Sequence, residues 1–133
     1  MPPRLVHGSP EDWLRRAQAS LALARVHGEG LLREDLCYQA QQAAEKALKA
    51  LYIARGQAFL FTHDLDRLAM GLEGIGIEIP ESIDQATILT RYAMDTRYPG
   101  GFEPVGAAEH QEAVRLAETV VAWAWTQIAP PGG

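Results

Sequence analysis

The chain has 133 residues, 47% hydrophobic and 22% charged, which fits one globular domain with its own core and excludes a disordered chain. With 12 basic against 17 acidic side chains the formal charge is −5, which argues against a surface devoted to coating nucleic acid. The one cysteine, Cys37, excludes an internal disulfide, and no stretch approaches the ~18–20 apolar residues of a membrane span. Met1 to Ser9 holds no apolar run of the signal-peptide kind, so a cytoplasmic protein is expected.

The first helix opens at Ser9-Pro10-Glu11-Asp12. Serine is a good N-cap, proline fits the first helical position, and the acids face the positive helix end. Trp13, Leu14, Ala17, Leu21 and Ala24 follow at helical spacing until Gly28 and Gly30 break the pattern. From about Glu34 to Arg55 there is neither glycine nor proline, and strong helix formers dominate, which predicts a long second helix. Its apolar positions Leu36, Ala40, Ala43, Ala47, Leu51 and Ala54 form one continuous face, where small alanines admit a neighbouring helix closely. Cys37 falls within this pattern as a buried, inert thiol. Gly56 supplies the stop.

Thr62 or Asp64 caps a shorter third helix through Leu65, Leu68, Ala69 and Leu72, which Gly71, Gly74 and Gly76 end. Ile75, Ile77 and Ile79 alternate as in a strand, but a lone five-residue strand has no partner. An extended loop tucking isoleucines into the core is therefore predicted. The fourth helix spans about Ser82 to Asp95, with Ile83, Ala86, Leu89 and Ala93 on one side. Pro99, Gly100, Gly101 and Pro104 make a turn-rich break. The last helix runs from about Val105 to Ile128, with Ala113, Ala117, Val120, Val121, Ala124 and Ile128 facing inward. Trp123 and Trp125 point in different directions, which places one in the core and the other at the surface. Met70 and Met94 read as core filler. The expected architecture is an all-α, antiparallel, up-and-down bundle of four to five helices, one domain over residues 1–133 with frayed ends at 1–8 and 129–133.

Three segments, in order, carry a resemblance. Cys37 to Ala50 contains Gln41-Gln42-Ala43-Ala44-Glu45-Lys46-Ala47-Leu48-Lys49-Ala50, which resembles the QQAxEKxxKA helix of one large group of HEPN domains. Thr62-His63-Asp64-Leu65 resembles the H-x-L that opens the following helix, and Arg91 to Pro99 is similar to the Y-x(3)-RYP ending of the fourth helix. With Trp13 in the first helix, the match covers nearly the whole chain. The resemblance implies an antiparallel helical bundle that forms a homodimer, binds a nucleotide or RNA, and pairs with a minimal nucleotidyltransferase in a toxin–antitoxin-like system. It implies no cofactor and no metal. Several branches of the family are metal-independent ribonucleases whose usual signature is an arginine followed, after four to six residues, by a histidine. Here the corresponding positions after Arg91 are Thr96, Arg97 and Tyr98, so the signature is not intact. Tyrosine, with an ordinary pKa of ~10, is a poor proton shuttle near neutrality. The resemblance thus implies a binding module first, a ribonuclease second and a non-catalytic helical partner third.

Arg97 and Tyr98 precede a rigid turn, where an arginine can grip phosphate and a tyrosine can stack on a base. They serve equally well as a dipole-matching charge and a core plug. Candidate catalytic residues are Arg91, Arg97, Tyr98 and His63, and candidate ligand-binding residues are Arg91, Arg97, Tyr98, Lys46, Lys49 and Glu45. Glu45 and Lys49 stand four apart as a surface pair worth ~0.2–0.5 kcal/mol. With Lys46 they form a charged patch expected to face the Arg91–Tyr98 segment across the bundle. Of Gln41 and Gln42, one reads as buried and hydrogen-bonded, the other as exposed. His63 reads as a helix-start residue whose ring bonds backbone groups. His7, His27 and His110 lack partners at metal-ligand spacing.

Overall fold

In the computed structural model, which describes residues 8–94 and 104–128, α1 (Pro10–Ala24) starts at the capping signal. Ser9 Oγ accepts the Asp12 backbone N–H at 3.1 Å, and the Asp12 carboxylate accepts the Ser9 N–H at 3.4 Å. Leu14, Ala17, Leu21 and Ala24 are buried as the stripe predicts, and Ser20 is buried among them. Helix α2 (Arg33–Ala54) is the centre of the bundle, packed between α1 and α6 (Ala107–Ile128). Lys46 of α2 reaches Ser20 of α1, and Trp13 at the start of α1 meets Phe59 beyond the end of α2, so the two helices run antiparallel.

The single apolar face predicted for α2 is too narrow. Cys37, Ala40, Gln41, Ala43, Ala44, Ala47, Leu48, Ala50, Leu51 and Tyr52 are all buried, because neighbours cover the helix round most of its circumference. At its two ends, where that cover stops, Leu36 is half-buried and Ala54 exposed. The small alanines of α2 decide how closely those neighbours come.

Asp64 caps α3 (Leu65–Gly74) by accepting the N–H groups of Asp66 and Arg67 at 3.0 and 3.4 Å. Gly71 does not end this helix but lies inside it. A methyl group there would stand 2.1 Å from the Tyr52 hydroxyl, which donates to the Leu68 carbonyl at 2.7 Å. The glycine is a gap for a crossing phenol. Ile75 caps the end of α3 in a turn and packs against the core, Ile77 is buried and Ile79 packs against the core from the loop that follows, and no strand occurs among the described residues.

The predicted fourth helix is broken into α4 (Glu81–Ala86), a 3-10 turn (Thr87–Thr90) and α5 (Arg91–Met94). Three of the four turn residues are β-branched, and both threonine hydroxyls serve other bonds: Thr87 donates to the Asp84 carbonyl at 2.7 Å, and Thr90 accepts the Leu65 N–H at 2.9 Å. Its expected end at Asp95 lies outside the described residues. In α6 the inward residues are His110, Ala113, Leu116, Ala117, Val120, Val121 and Ala124. Trp123 and Trp125 both lie half-buried against the core, in place of one inside and one outside, and the buried Trp125 Nε1 has no partner. Met70 and Met94 are exposed, not core filler. No described helix is long and apolar enough to cross a membrane.

Candidate functional site

Glu45 is the hub of a polar cluster inside α2. It is 5% exposed and Lys49 7%, which overturns their reading as a surface pair. The cause is the broad cover over α2, to which the Phe59 ring contributes at 4.9 Å from Lys49 Nζ. Glu45 Oε2 accepts from Lys49 Nζ at 2.9 Å, while Oε1 accepts from Gln41 Nε2 at 3.1 Å, from Gln42 Nε2 at 3.4 Å and from His63 Nδ1 at 2.8 Å. Burial pulls the Glu45 carboxyl upward, but the hydrogen bonds from Lys49, His63 and Gln41 outweigh it and hold the group below its ordinary value.

His63 stands at the rim of this cluster with its side chain 51% exposed. Its ring bonds the Glu45 carboxylate, where the sequence suggested backbone groups, and it is the His63 carbonyl that a side chain holds, with Gln41 Nε2 donating to it at 2.9 Å. A carboxylate only accepts, so Nδ1 carries the proton and Nε2 is directed away from Glu45. Gln41 is fully buried and Gln42 half-buried, and Gln42 Nε2 donates to Gln41 Oε1 at 2.8 Å. Phe61 precedes His63 by two residues, is 88% exposed and leans on Phe59 with ring centroids 5.5 Å apart. Nothing in helical periodicity marks Phe61; its signal is an aromatic residue in a short polar loop.

Lys46 turns to the α1 side of α2, where its ammonium donates to Ser20 Oγ at 2.7 Å. Ser20 was legible as a polar residue on the apolar stripe of α1. Arg91 lies elsewhere. Its guanidinium is 3.9 Å from Glu109 of α6 and sits over the Tyr92 ring, beside a hollow of about 190 Å³ walled by Ile88, Leu89 and Leu116. Tyr92 donates to Glu109, and burial together with that bond raises its phenol above the ordinary value. Cys37 of α2 adjoins Tyr92. Arg91 pairs with Glu109 and is not among the partners of Glu45, although its neighbour Thr90 accepts the Leu65 N–H two residues beyond His63. Arg97 and Tyr98 lie outside the described residues. His110, read as lacking partners at metal-ligand spacing, is buried and donates Nε2–H to the Ala24 carbonyl at the end of α1. Among the described residues no three metal-ligating side chains gather.

A family model for the HEPN domain matches residues 10–127. The chain belongs to the HEPN family. Two solved structures share the HEPN fold described above. TT1696 from Thermus thermophilus is 35% identical with a TM-score of 0.75, over 89% of this chain and 97% of that one. ST0689, an archaeal HEPN homologue, is 27% identical with a TM-score of 0.70, over 91% of this chain and 98% of that one. No curated protein matches the chain.

Proposed function

We propose that this HEPN domain binds a nucleotide or RNA through the face built around His63, as a homodimer and beside a minimal nucleotidyltransferase in a toxin–antitoxin-like pair. The observation that carries this reading is the half-exposed His63 ring fixed at 2.8 Å on a buried carboxylate. A ring so held is a preorganised hydrogen-bonding group, and the exposed Phe61 beside it offers a stacking surface for a base. The net charge of −5 favours such a local site over a long phosphate track. Fluorescence anisotropy with a short labelled single-stranded RNA tests it. Phe61→Ala and His63→Gln should each weaken binding about tenfold, in line with ~1–3 kcal/mol per stacked base, while circular dichroism stays unchanged. Equal affinities in all three proteins would remove the site. The assembly is tested separately, by the mass of the purified protein in light scattering and of its complex with a co-expressed nucleotidyltransferase.

The same contact favours a second reading, a metal-independent endoribonuclease. A histidine oriented by a carboxylate can take the proton of a ribose 2′-hydroxyl as the 2′-oxygen attacks phosphorus, and the imidazolium so formed gives that proton to the leaving 5′-oxygen as its bond to phosphorus breaks. Cleavage that survives EDTA, ends in 2′,3′-cyclic phosphate and vanishes in His63→Gln would establish it. RNA left intact by the wild type would rule it out.

A further inference from the structure

We infer that Arg16, Ser20 and Lys46 form a phosphate subsite between α1 and α2, shaped for the dianionic terminal phosphomonoester of a nucleotide or RNA end. The inference rests on the nucleic-acid reading of the His63 face and adds the group that face selects. Arg15, Arg25, Lys49, Arg91 and Arg115 each have a carboxylate within 4 Å. Among the described residues Lys46 has none: its half-buried ammonium donates to Ser20 Oγ at 2.7 Å, which leaves two of its three N–H donors for a ligand. Ser20 is 3% exposed, so its hydroxyl is a fixed part of the helix interface that anchors and orients the ammonium.

Arg16 lies one helical turn before Ser20, on the same side of α1, and is exposed. Ser20, one turn on, holds Lys46, so the Arg16 and Lys46 charges share the α1–α2 seam. Burial lowers the proton affinity of Lys46, the neighbouring Glu45 opposes this, and the Arg16 charge lowers it further. Two adjacent cations that repel one another, one of them partly desolvated, are stabilised by a shared anion. The Glu45 charge does not compete for that place, since Lys49 and His63 already hold its two oxygens. A terminal phosphate carries about −1.5 to −2 charge near pH 7, whereas an internal diester carries one, so the pair of cations matches the chain end.

The test uses one RNA sequence, fluorescein-labelled, with a 5′-phosphate, with a 3′-phosphate and with neither. The wild type should bind one phosphorylated form about tenfold more tightly than the unphosphorylated one, and that ratio should fall to near one in Arg16→Gln and Lys46→Gln. Arg16 is exposed, so its variant keeps the fold even if the lysine variant does not. Equal binding of the three RNAs by the wild type overturns the subsite and leaves the His63 reading standing. Pyrophosphate in a calorimeter separates the two further. Heat seen in the wild type and lost in Arg16→Gln supports the subsite even if no RNA binds, an outcome that would overturn the nucleic-acid reading alone. No pyrophosphate binding, or binding that both variants keep, overturns the subsite.

Discussion

Glu45→Gln is the sharpest test of the cluster, because it keeps the side chain's volume and removes its charge. Four donors converge on the carboxylate: Lys49 on one oxygen and Gln41, Gln42 and His63 on the other. Glutamine has one acceptor oxygen and brings an N–H₂ group, so one side of the cluster must set donor against donor. If the amide nitrogen faces Lys49, a buried ammonium loses its counter-charge. Breaking a buried pair from one side costs about 3–5 kcal/mol, and the Phe59 ring 4.9 Å from Lys49 Nζ offsets part of this, which gives a loss near 3 kcal/mol. In a domain of this size that lowers Tm by roughly 10 °C. Urea unfolding of Glu45→Gln, Lys49→Met and the double variant forms the cycle, and the double variant should be more stable than the sum of the single losses by at least about 1.5 kcal/mol. The acid side adds an independent check. A carboxyl whose folded pKa is depressed contributes stability that is full above the unfolded value of ~4.3 and disappears as pH falls through the folded one. Wild type and Glu45→Gln should therefore converge in stability on acidification below about pH 4. A loss under about 1 kcal/mol, or an additive cycle, would refute the argument and return the pair to the weak class of surface i,i+4 contacts.

Three further outcomes follow from the packing. Gly71→Ala, which in an exposed helix would stabilise by up to ~1 kcal/mol, should here destabilise by about 1–3 kcal/mol, since the new methyl meets the Tyr52 hydroxyl at 2.1 Å and that ring is buried; Tyr52→Phe should relieve part of the loss in a thermal melt. Thr90→Val removes the oxygen that accepts the Leu65 N–H and should cost about 1–2 kcal/mol in urea unfolding, with local loss of hydrogen-exchange protection at the start of α3. The Cys37 thiol is fully buried, and burial with the Glu109 charge pushes it up to about 11, so Ellman's reagent at pH 8 should label it only as fast as the domain opens, with a rate rising in urea. Immediate stoichiometric labelling would show that α2 and α5 are not closed over it.

The helices were legible wherever the chain carries its own punctuation. Ser9-Pro10 at one end of α1, Asp64 before α3, and the uninterrupted run of α2 each decide a boundary by local chemistry. The break at Thr87–Thr90 was not legible, because apolar spacing continues across it while the Thr87 hydroxyl turns back on the Asp84 carbonyl and the Thr90 hydroxyl is drawn to a partner 25 residues away at Leu65. The same limit explains the site. The sequence supplied Glu45, Lys46, Lys49 and His63 as polar residues of interest, but periodicity assigned the first three to a solvated face. Only the close approach of α1, α6 and Phe59 to an alanine-rich α2 puts Glu45 and Lys49 inside, and it sends Lys46 to a different partner from its neighbours. A contact such as His63 to Glu45, 18 residues apart, depends on how a loop folds back, which no local pattern encodes.

Burial of an ion pair is itself weak evidence that the pair exists for stability. Replacing such a pair with apolar groups of similar volume is often neutral or stabilising by about 1–4 kcal/mol, and α2 offers alanine and leucine on every side as the alternative. What apolar residues at positions 45 and 49 would not do is hold His63. Lys49 keeps Glu45 charged, Glu45 fixes the imidazole through Nδ1, and Gln41 donates both to Glu45 and to the His63 carbonyl, so ring and backbone of one residue are tied to the central helix. Gln42 in turn takes up the Gln41 oxygen, which leaves the network satisfied inside the protein and open only through its histidine. Four side chains of the central helix thus form one network that ends, through Glu45, on a half-exposed ring, an arrangement that suits a site needing a fixed imidazole better than a bundle built only to pack.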